Sequence, residues 1–149
     1  MPNEARTVIY ADGASRGNPG KAAYGLIIHQ PDRILRLGRY LGRATNNEAE
    51  YQALLAALKW AVDYGIPKVT YYSDSKLVVE QINGRYKVKH PNLKGLFLEA
   101  LALKRRIREF NVFHVGRENN TEADGLVNEV LDAHKDDDGP TCLQEGCGS

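Results

Sequence analysis

The feature that most constrains the fold is a change of hydrophobic period near residue 45. Before it, three apolar segments rich in β-branched and aromatic residues follow one another, separated by short stretches that contain Gly or Pro. Their composition predicts strands over 7–11, 22–29 and 33–41, and the sequence QPDR favours a hairpin between the last two. From Thr45 onward, apolar residues recur at helical spacing. The chain is therefore expected to begin as an antiparallel meander and to continue with helices.

The rest of the chain alternates between helical and strand-like patterns. Thr45 and Glu48 fit a capping box at the start of the first helix, and Gly65 fits its end. The predicted segments are a helix over 45–64, a strand over 68–73, a helix over 75–84, a helix from Pro91 to 110, a strand over 111–115 and a helix from Asn120 or Thr121 to 134. The order β-β-β-α-β-α-α-β-α predicts an α/β fold with helices packed on a mixed sheet.

Length and composition place these elements in one domain. The chain has 149 residues, of which 42% are hydrophobic and 26% charged, as is usual for a soluble globular protein. Its apolar runs fall short of the roughly 18 residues that a membrane span needs, and the N-terminus does not have the pattern of a secretory signal. We therefore expect a cytoplasmic monomer without a membrane partner.

The C-terminal end differs from the rest of the chain. Residues 135–149 contain Gly, Pro and four acidic side chains but almost no apolar ones, which predicts a disordered tail after a domain over 1–134. Both cysteines, Cys142 and Cys147, lie in this tail, so a disulfide-built fold is excluded. A local disulfide, an adventitious metal contact and two idle thiols all stay open for this pair.

Although the net charge is only +1, basic charge is concentrated in residues 1–134. They hold 19 basic and 15 acidic residues, a charge of +4, and much of the basic excess lies in GRYKVKHPNLKG and LKRRIRE. A basic face suits a polyanion such as nucleic acid, but a solvated helix surface has the same composition. Charge alone therefore does not assign a partner.

Three acidic residues stand where a carboxylate needs an explanation. Asp12 and Asp74 each follow an apolar strand directly, and the ends of neighbouring strands converge on one edge of an α/β sheet. Glu50 shares a helix face with Leu54 and Ala57, so it points toward the core, where an ionised carboxylate is unfavourable unless it is compensated. A turn role for Asp12 and a helix-cap role for Asp74 stay open.

Asp124 is the fourth such residue. It has the spacing of a capping pair with Thr121 near the start of the last helix, and it also shares a face with Val127 and Leu131. Four carboxylates within a few ångströms repel one another, and cations relieve that repulsion. Oxygen ligands without His or Cys select hard divalent ions such as Mg²⁺ or Mn²⁺. Two such ions about 4 Å apart can hold both the attacking and the leaving oxygen of a phosphodiester.

Four segments that contain these acids resemble the signature segments of the type 1 ribonuclease H family, in the family's order. They are DGASRGNPG, TNNEAEY, YSDSKLV and NNTEADGLVN, and the resemblance extends over about residues 7–134. It implies a ribonuclease H-like fold, which is a five-stranded mixed sheet with its first three strands antiparallel, flanked by helices. It also implies that the catalytic, metal-binding acids, which hold two Mg²⁺ ions with Mn²⁺ as a substitute, are Asp12, Glu50, Asp74 and Asp124.

The activity that the resemblance implies is endonucleolytic hydrolysis of the RNA strand of an RNA–DNA hybrid. One ion would activate a water and the other would stabilise the leaving 3′ oxygen, which gives 5′-phosphate and 3′-hydroxyl ends. The candidate substrate-binding residues are Gly13, Ser15, Asn18, Thr45, Asn46, Asn47, Lys87, Lys89 and Arg117. The asparagines can bind the 2′-hydroxyls by which RNA differs from DNA. Gln81 is expected to face solvent.

The chain departs from the family pattern in two places. Many bacterial members carry a longer basic protrusion with tryptophan where this chain has Lys87, Lys89 and Lys94, which predicts weaker and more salt-sensitive hybrid binding here. Many members also have a histidine in the loop before the last acid. Here that loop reads GRENN, which leaves Arg117 or Glu118 to replace the histidine.

Three other interpretations stay open at this point. The chain can be a nucleic-acid-binding module of the same fold with little catalysis. It can be another nuclease of the same superfold, such as an integrase-like or junction-cleaving enzyme. It can also be an unrelated α/β domain in which the acids are only helix caps and turn residues.

Overall fold

The computed structural model describes residues 6–135. Both cysteines and the predicted tail beyond Lys135 lie outside the described residues, so the domain boundary at 134 stays a prediction. The elements are β1 (Thr7–Gly17), β2 (Gly20–Gln30), β3 (Arg33–Ala44), α1 (Asn46–Asp63), β4 (Lys68–Ser73), α2 (Lys76–Ile82), α3 (Pro91–Lys104), β5 (Glu109–His114), a 3-10 turn (Arg117–Asn119) and α4 (Thr121–Ala133). Their order is the predicted one, with the 3-10 turn added before the last helix.

The five strands form one mixed sheet in the order β3-β2-β1-β4-β5. β1 pairs antiparallel with β2, and β2 pairs antiparallel with β3, whereas β4 is parallel to both β1 and β5. This confirms the predicted mixed sheet whose first three strands are antiparallel. The central strand β1 therefore has an antiparallel neighbour on one side and a parallel neighbour on the other.

The first three strands are longer than predicted, and the extension of β1 bears on the site. β1 continues past Asp12 because it forms a hairpin with β2, in which Gly17 pairs with Gly20. Its parallel pairing with β4, by contrast, ends at Ala11 opposite Ser73. The expectation that the strand ends before Asp12 is therefore wrong for β1 as a whole and holds only for its edge toward β4.

The helix predicted from Pro91 to 110, in contrast, is shorter than expected. α3 ends at Lys104, and β5 begins at Glu109 instead of 111. The backbone N–H of Glu109 donates to the carbonyl of Pro67 at 2.9 Å, and Phe110, which is 3% exposed, is opposite a residue of β4. Strand pairing and burial of the aromatic ring outweigh the helical pattern of this segment.

Helices cover both faces of the sheet. On one face α1 packs against β1 and β2 through a core that includes Leu54, Ile9 and Leu26, each no more than 1% exposed, and α2 and α3 extend this core. On the other face α4 packs on β2 through Leu126 and Val127. Within residues 6–135, no helix is both long and apolar enough to cross a membrane.

α1 begins with the predicted capping box. The Thr45 hydroxyl accepts the backbone N–H of Glu48 at 3.1 Å, and the Glu48 carboxylate accepts the backbone N–H of Thr45 at 2.8 Å. These bonds satisfy two N–H groups that the helix leaves unpaired. Gly65 follows the last turn, as predicted. The cap fixes the first turns of α1, which carry Glu50.

Gln81 does not face solvent, contrary to the expectation from the sequence. Its side chain is 4% exposed, and its Oε1 accepts the hydroxyl of Tyr51 at 2.6 Å. Its Nε2 donates to the carbonyl of Lys87 at 3.3 Å. Because the chain folds back after α2, it covers a position that the helical pattern alone leaves exposed.

Gly13 lets β1 approach α1 at backbone distance. A Cβ at this position would lie 2.4 Å from the carbonyl carbon and oxygen of Ala49 and 2.7 Å from the backbone nitrogen of Glu50. Moving a side chain cannot relieve contacts with backbone atoms, so the helix itself would have to shift. The position of the first turn of α1 therefore depends on a glycine here.

We expect Gly13→Ala to destabilise the fold by about 2 kcal/mol, because α1 must move away from β1. Gly95→Ala is the matched control, since an added Cβ in this turn of α3 has no atom within 4 Å. Because alanine has a higher helix propensity than glycine, Gly95→Ala should stabilise the protein by up to about 1 kcal/mol. Urea unfolding followed by circular dichroism measures both changes, and equal changes for the two variants would contradict the close contact.

Candidate active site

Asp12 and Asp74 lie side by side because each directly follows one residue of the last parallel pair between β1 and β4. Ala11 is opposite Ser73, and each acid is the next residue along its own chain. Asp12 is 5% exposed and Asp74 is partly buried. The helix cap that the sequence left open for Asp74 is provided by Ser75, whose hydroxyl accepts a backbone N–H in the first turn of α2.

Glu50 reaches the same place from α1. Its side chain is 8% exposed, which agrees with its predicted place on the inward-facing side of the helix. The backbone N–H of Gly13 donates to Glu50 Oε1 at 3.0 Å. Because Gly13 brings β1 against α1, this bond fixes the carboxylate of Glu50 next to Asp12.

The three side chains form a cluster with the dimensions of a metal site. Asp12, Glu50 and Asp74 each offer one carboxylate oxygen, and these oxygens lie within 4.8 Å of one another. In the part of the chain that the structure describes, no other group of three His, Cys, Asp or Glu side chains comes as close together. The predicted convergence of these three acids is confirmed.

Asp124 joins the cluster from α4 but lies outside the group of three. It is exposed in the first turn of α4, and its side chain lies within hydrogen-bonding reach of that of Asp12. The capping pair with Thr121 does not form, because the N-cap is Asn120 and no side chain caps this helix. The fourth acid therefore borders the cluster at Asp12.

Burial and repulsion weaken the acidity of Asp12. Burial, followed by the negative charges of Asp74 and Asp124, raises the pKa of Asp12 from 3.8 to about 8, and the hydrogen bond with Asp124 adds to this rise. The backbone N–H of Gly13 acts in the opposite direction. Without a nearby cation, Asp12 is therefore largely protonated at neutral pH.

Glu50 is affected in the same way. Burial, followed by the charges of Asp12 and Asp74, raises the pKa of Glu50 well above its usual value, whereas the Gly13 N–H and the guanidinium of Arg117 lower it. The field of the cluster extends into the core beneath it. There, burial and then the same three carboxylates raise the pKa of the Tyr71 phenol.

The cluster fits divalent cations that prefer oxygen ligands. Its donors are all carboxylate oxygens, and neither His nor Cys contributes within residues 6–135. A cation beside Asp12 and Glu50 supplies the charge that opposes their repulsion and favours their ionised forms. The donor set thus fits the metal-binding role that the sequence predicted.

Three of the predicted substrate-binding residues join the β1–β2 hairpin to the start of α1. The backbone N–H of Ser15 donates to Asn46 Oδ1 at 2.7 Å, and the backbone N–H of Asn46 donates to Asn18 Oδ1 at 3.0 Å. Because both amide oxygens accept from backbone groups, the two exposed asparagines keep their NH₂ groups as donors. Residues assigned to substrate binding thus also hold the hairpin.

The other predicted substrate-binding residues occupy different places. Asn47 is exposed in the first turn of α1, and Lys87 and Lys89 are exposed in the segment between α2 and α3. Arg117 is exposed in the 3-10 turn, close enough to lower the pKa of Glu50. Among these four residues, Arg117 is the one that the structure connects to the acids.

Asn120 is a site residue for which the sequence indicated only a helix-cap role. It is 1% exposed, and its Nδ2 donates to the carbonyl of Ala11 at 2.8 Å and to Asp74 Oδ2 at 3.3 Å. The available signal was its position one helical turn before Asp124. That spacing does not distinguish a cap from a residue that faces the acids.

The chain is similar to known proteins over most of its length. Residues 10–130 match the family model described as reverse transcriptase-like. The chain is 48% identical to a bifunctional protein of Mycobacterium tuberculosis over 86% of its own length, but it spans only 36% of that protein. It is 42% identical to ribonuclease HI of Halobacterium salinarum, with 85% of this chain and 65% of that protein covered. It is 32% identical to ribonuclease H of Trichodesmium erythraeum, with 83% and 88% covered.

Two solved structures share the fold closely. The ribonuclease H domain of the Mycobacterium tuberculosis protein has a TM-score of 0.82 at 47% identity, with 88% of this chain and 96% of that chain covered. LC11-RNase H1, crystallised in complex with an RNA/DNA hybrid, has a TM-score of 0.81 at 38% identity, with 87% and 99% covered. The family match, these relatives and the fold around the acid cluster agree, and the chain belongs to the type 1 ribonuclease H family.

Proposed function

We propose that this protein is a metal-dependent endonuclease that hydrolyses the RNA strand of RNA–DNA hybrids. The observation that carries the proposal is the buried cluster of Asp12, Glu50 and Asp74, with carboxylate oxygens within 4.8 Å of one another. The likeness to LC11-RNase H1, whose crystal contains an RNA/DNA hybrid, supports the choice of substrate. The cytoplasmic location and the monomeric state stay predictions from the sequence.

The proposed cofactor is a pair of Mg²⁺ ions, for which Mn²⁺ can substitute, held by Asp12, Glu50, Asp74 and Asp124. When bound, the ions would activate the attacking water and stabilise the leaving 3′ oxygen, and the products would carry 5′-phosphate and 3′-hydroxyl ends. The chain contributes a rigid frame, because β1, α1 and α4 each carry one acid and the fourth, Asp74, directly follows β4. Asp12 is central to this frame, since its pKa responds to both Asp74 and Asp124.

Arg117 supplies positive charge beside the acids. Its guanidinium lowers the pKa of Glu50 and so favours the ionised carboxylate. A guanidinium can also bind a phosphate through two parallel hydrogen bonds. In this proposal Arg117 holds a phosphate of the hybrid next to the acids, at the place where many family members carry a loop histidine.

Recognition of the RNA strand is assigned to the surface between the β1–β2 hairpin and α1. The NH₂ groups of Asn18 and Asn46 are donors that can bind 2′-hydroxyls or base edges in the minor groove. Gly13 and Ser15 lie on the same strand, and Asn47 is exposed beside Asn46.

Two other parts of the chain are assigned to the backbone of the hybrid. Thr45 and its neighbouring backbone receive a phosphate of the DNA strand, a role that its part in the capping box does not preclude. Lys87 and Lys89 are exposed and provide electrostatic attraction to phosphates. Both assignments come from the family resemblance.

Asp12→Asn and Asp74→Asn should each lower cleavage of a labelled RNA–DNA hybrid by about 100-fold or more, because an amide does not neutralise a cation. The matched control is Asp63→Asn, an exposed acid at the end of α1, which should cleave normally. Gel analysis with Mg²⁺ or Mn²⁺ measures the rates. Normal cleavage by Asp12→Asn would remove this residue from the site. Absence of cleavage by the unaltered protein would leave a binding module.

The metal-free protein should lose stability as the pH rises from about 4 to 8. In this range the folded state keeps a proton on Asp12, whose pKa is raised from 3.8 to about 8, whereas the unfolded chain has released it. The advantage in melting temperature of Asp12→Asn over the unaltered protein should therefore grow with pH. Thermal scans in a chelator measure this difference, and a difference independent of pH would contradict the raised pKa.

Lys87→Ala and Lys89→Ala should each weaken hybrid binding and reduce the slope of log affinity against log salt by about 1, since each exposed ammonium displaces a counterion. Lys68→Ala is the control, because Lys68 begins β4, at the opposite end of the strand from Asp74. Fluorescence anisotropy in the Asp12→Asn background avoids cleavage. If the slopes are identical in all variants, neither lysine belongs to the binding surface. If the slope is already shallow when both lysines are present, the expectation of salt-sensitive binding is contradicted.

A further inference from the structure

Asn120 joins three of the chain segments that carry the acids. Its Nδ2 donates to the carbonyl of Ala11, which directly precedes Asp12 in β1, and to Asp74 Oδ2 after β4. The backbone carbonyl of Asn120 accepts the backbone N–H of Asp124 at 3.1 Å. One residue, 1% exposed, is thus in contact with the backbone beside one acid, the side chain of a second and the backbone of a third.

The orientation of the Asn120 amide follows from its partners. The backbone carbonyl of Ala11 accepts hydrogen bonds and cannot donate them, and Asp74 Oδ2 lies on the same side of the amide. The nitrogen must therefore face Ala11 and Asp74. This leaves Asn120 Oδ1 buried without a hydrogen-bond partner, the one such side-chain atom found among residues 6–135.

This arrangement is unfavourable for the helix that Asn120 begins. An asparagine at an N-cap ordinarily uses its side-chain oxygen to accept a backbone N–H of the first turn. Here α4 has no side-chain cap bond, and the oxygen that would make one has no partner. A residue selected only to start α4 would show the opposite orientation, so the amide serves the acids in preference to the helix.

We infer that Asn120 is a positioning residue, which orients the carboxylate of Asp74 relative to Asp12 so that both face the same cation. The inference rests on the proposed function. The NH₂ group occupies one lone pair of Asp74 Oδ2 from the protein side and leaves the remaining lone pairs for a cation. Removing a group that orients a metal ligand in this way commonly lowers metal affinity by about 10- to 100-fold.

The test is Asn120→Ala, with Asn83→Ala as the matched control. Asn83 also donates its Nδ2 to a backbone carbonyl, that of Val112 at 3.0 Å, but it follows α2 away from the acids. Calorimetric titration with Mn²⁺ in the absence of nucleic acid should show a dissociation constant about tenfold or more higher for Asn120→Ala and unchanged for Asn83→Ala. Hybrid cleavage should show a lower kcat and an unchanged KM for Asn120→Ala only.

Folded Asn120→Ala protein with the Mn²⁺ affinity and kcat of the unaltered protein would overturn the inference. If that variant does not fold, the side-chain NH₂ signals of the unaltered protein in a ¹⁵N spectrum provide the measurement. During a Mg²⁺ titration the Asn120 signals should shift with the midpoint of metal binding, and those of Asn83 should stay constant. Unshifted Asn120 signals in a protein that binds Mg²⁺ would overturn the inference.

Failure of the proposed function has a different signature. If the unaltered protein binds neither Mn²⁺ nor Mg²⁺ and does not cleave a hybrid, the cluster is not a metal site, and the role of Asn120 fails together with it. If the unaltered protein binds the ions and cleaves, while Asn120→Ala does so equally well, only the positioning role fails.

Discussion

The acid cluster depends on the contact between the backbone of β1 at Gly13 and the first turns of α1. Any side chain at this position would collide with the backbone of Ala49. The same approach supplies Glu50 with a backbone N–H donor. Without that donor, a buried carboxylate would face the core with no compensation from this strand. A single backbone contact therefore determines the position of the helix and makes its inward-facing acid tolerable.

The other side of the cluster is built from the opposite face of the sheet. α4 brings Asp124 to Asp12 and places Asn120 between Ala11 and Asp74. Several features of this region oppose folding: raised pKa values, repulsion between acids and a buried oxygen without a partner. The metal-binding role proposed for this cluster accounts for the raised pKa values and the repulsion, because a bound cation would offset the negative charge of the acids.

The local sequence correctly predicted the elements whose ends are determined by nearby residues. β4 is correct at both ends because a β-branched and aromatic run lies between Pro67 and Asp74, and the capping box starts α1 as expected. Other features depend on partners distant in sequence. β1 extends through a glycine-rich segment because β2 pairs with it, and Gln81 is buried because a later segment covers it. The motifs predicted that the four acids belong to one site, whereas the contacts of Asn120 are made with residues 46 and 109 positions away and could not be predicted locally.

The backbone contact at Gly13 has a consequence for engineering this scaffold. Apolar residues of α1 such as Leu54 and Leu58 belong to the hydrophobic core and contribute no atom to the hydrogen bond between Gly13 and Glu50, so libraries that vary them keep both partners of that bond. Randomising position 13 is different, because every side chain larger than hydrogen meets main-chain atoms there. Substitutions in the core and substitutions at the backbone contact can thus be sampled at separate codons.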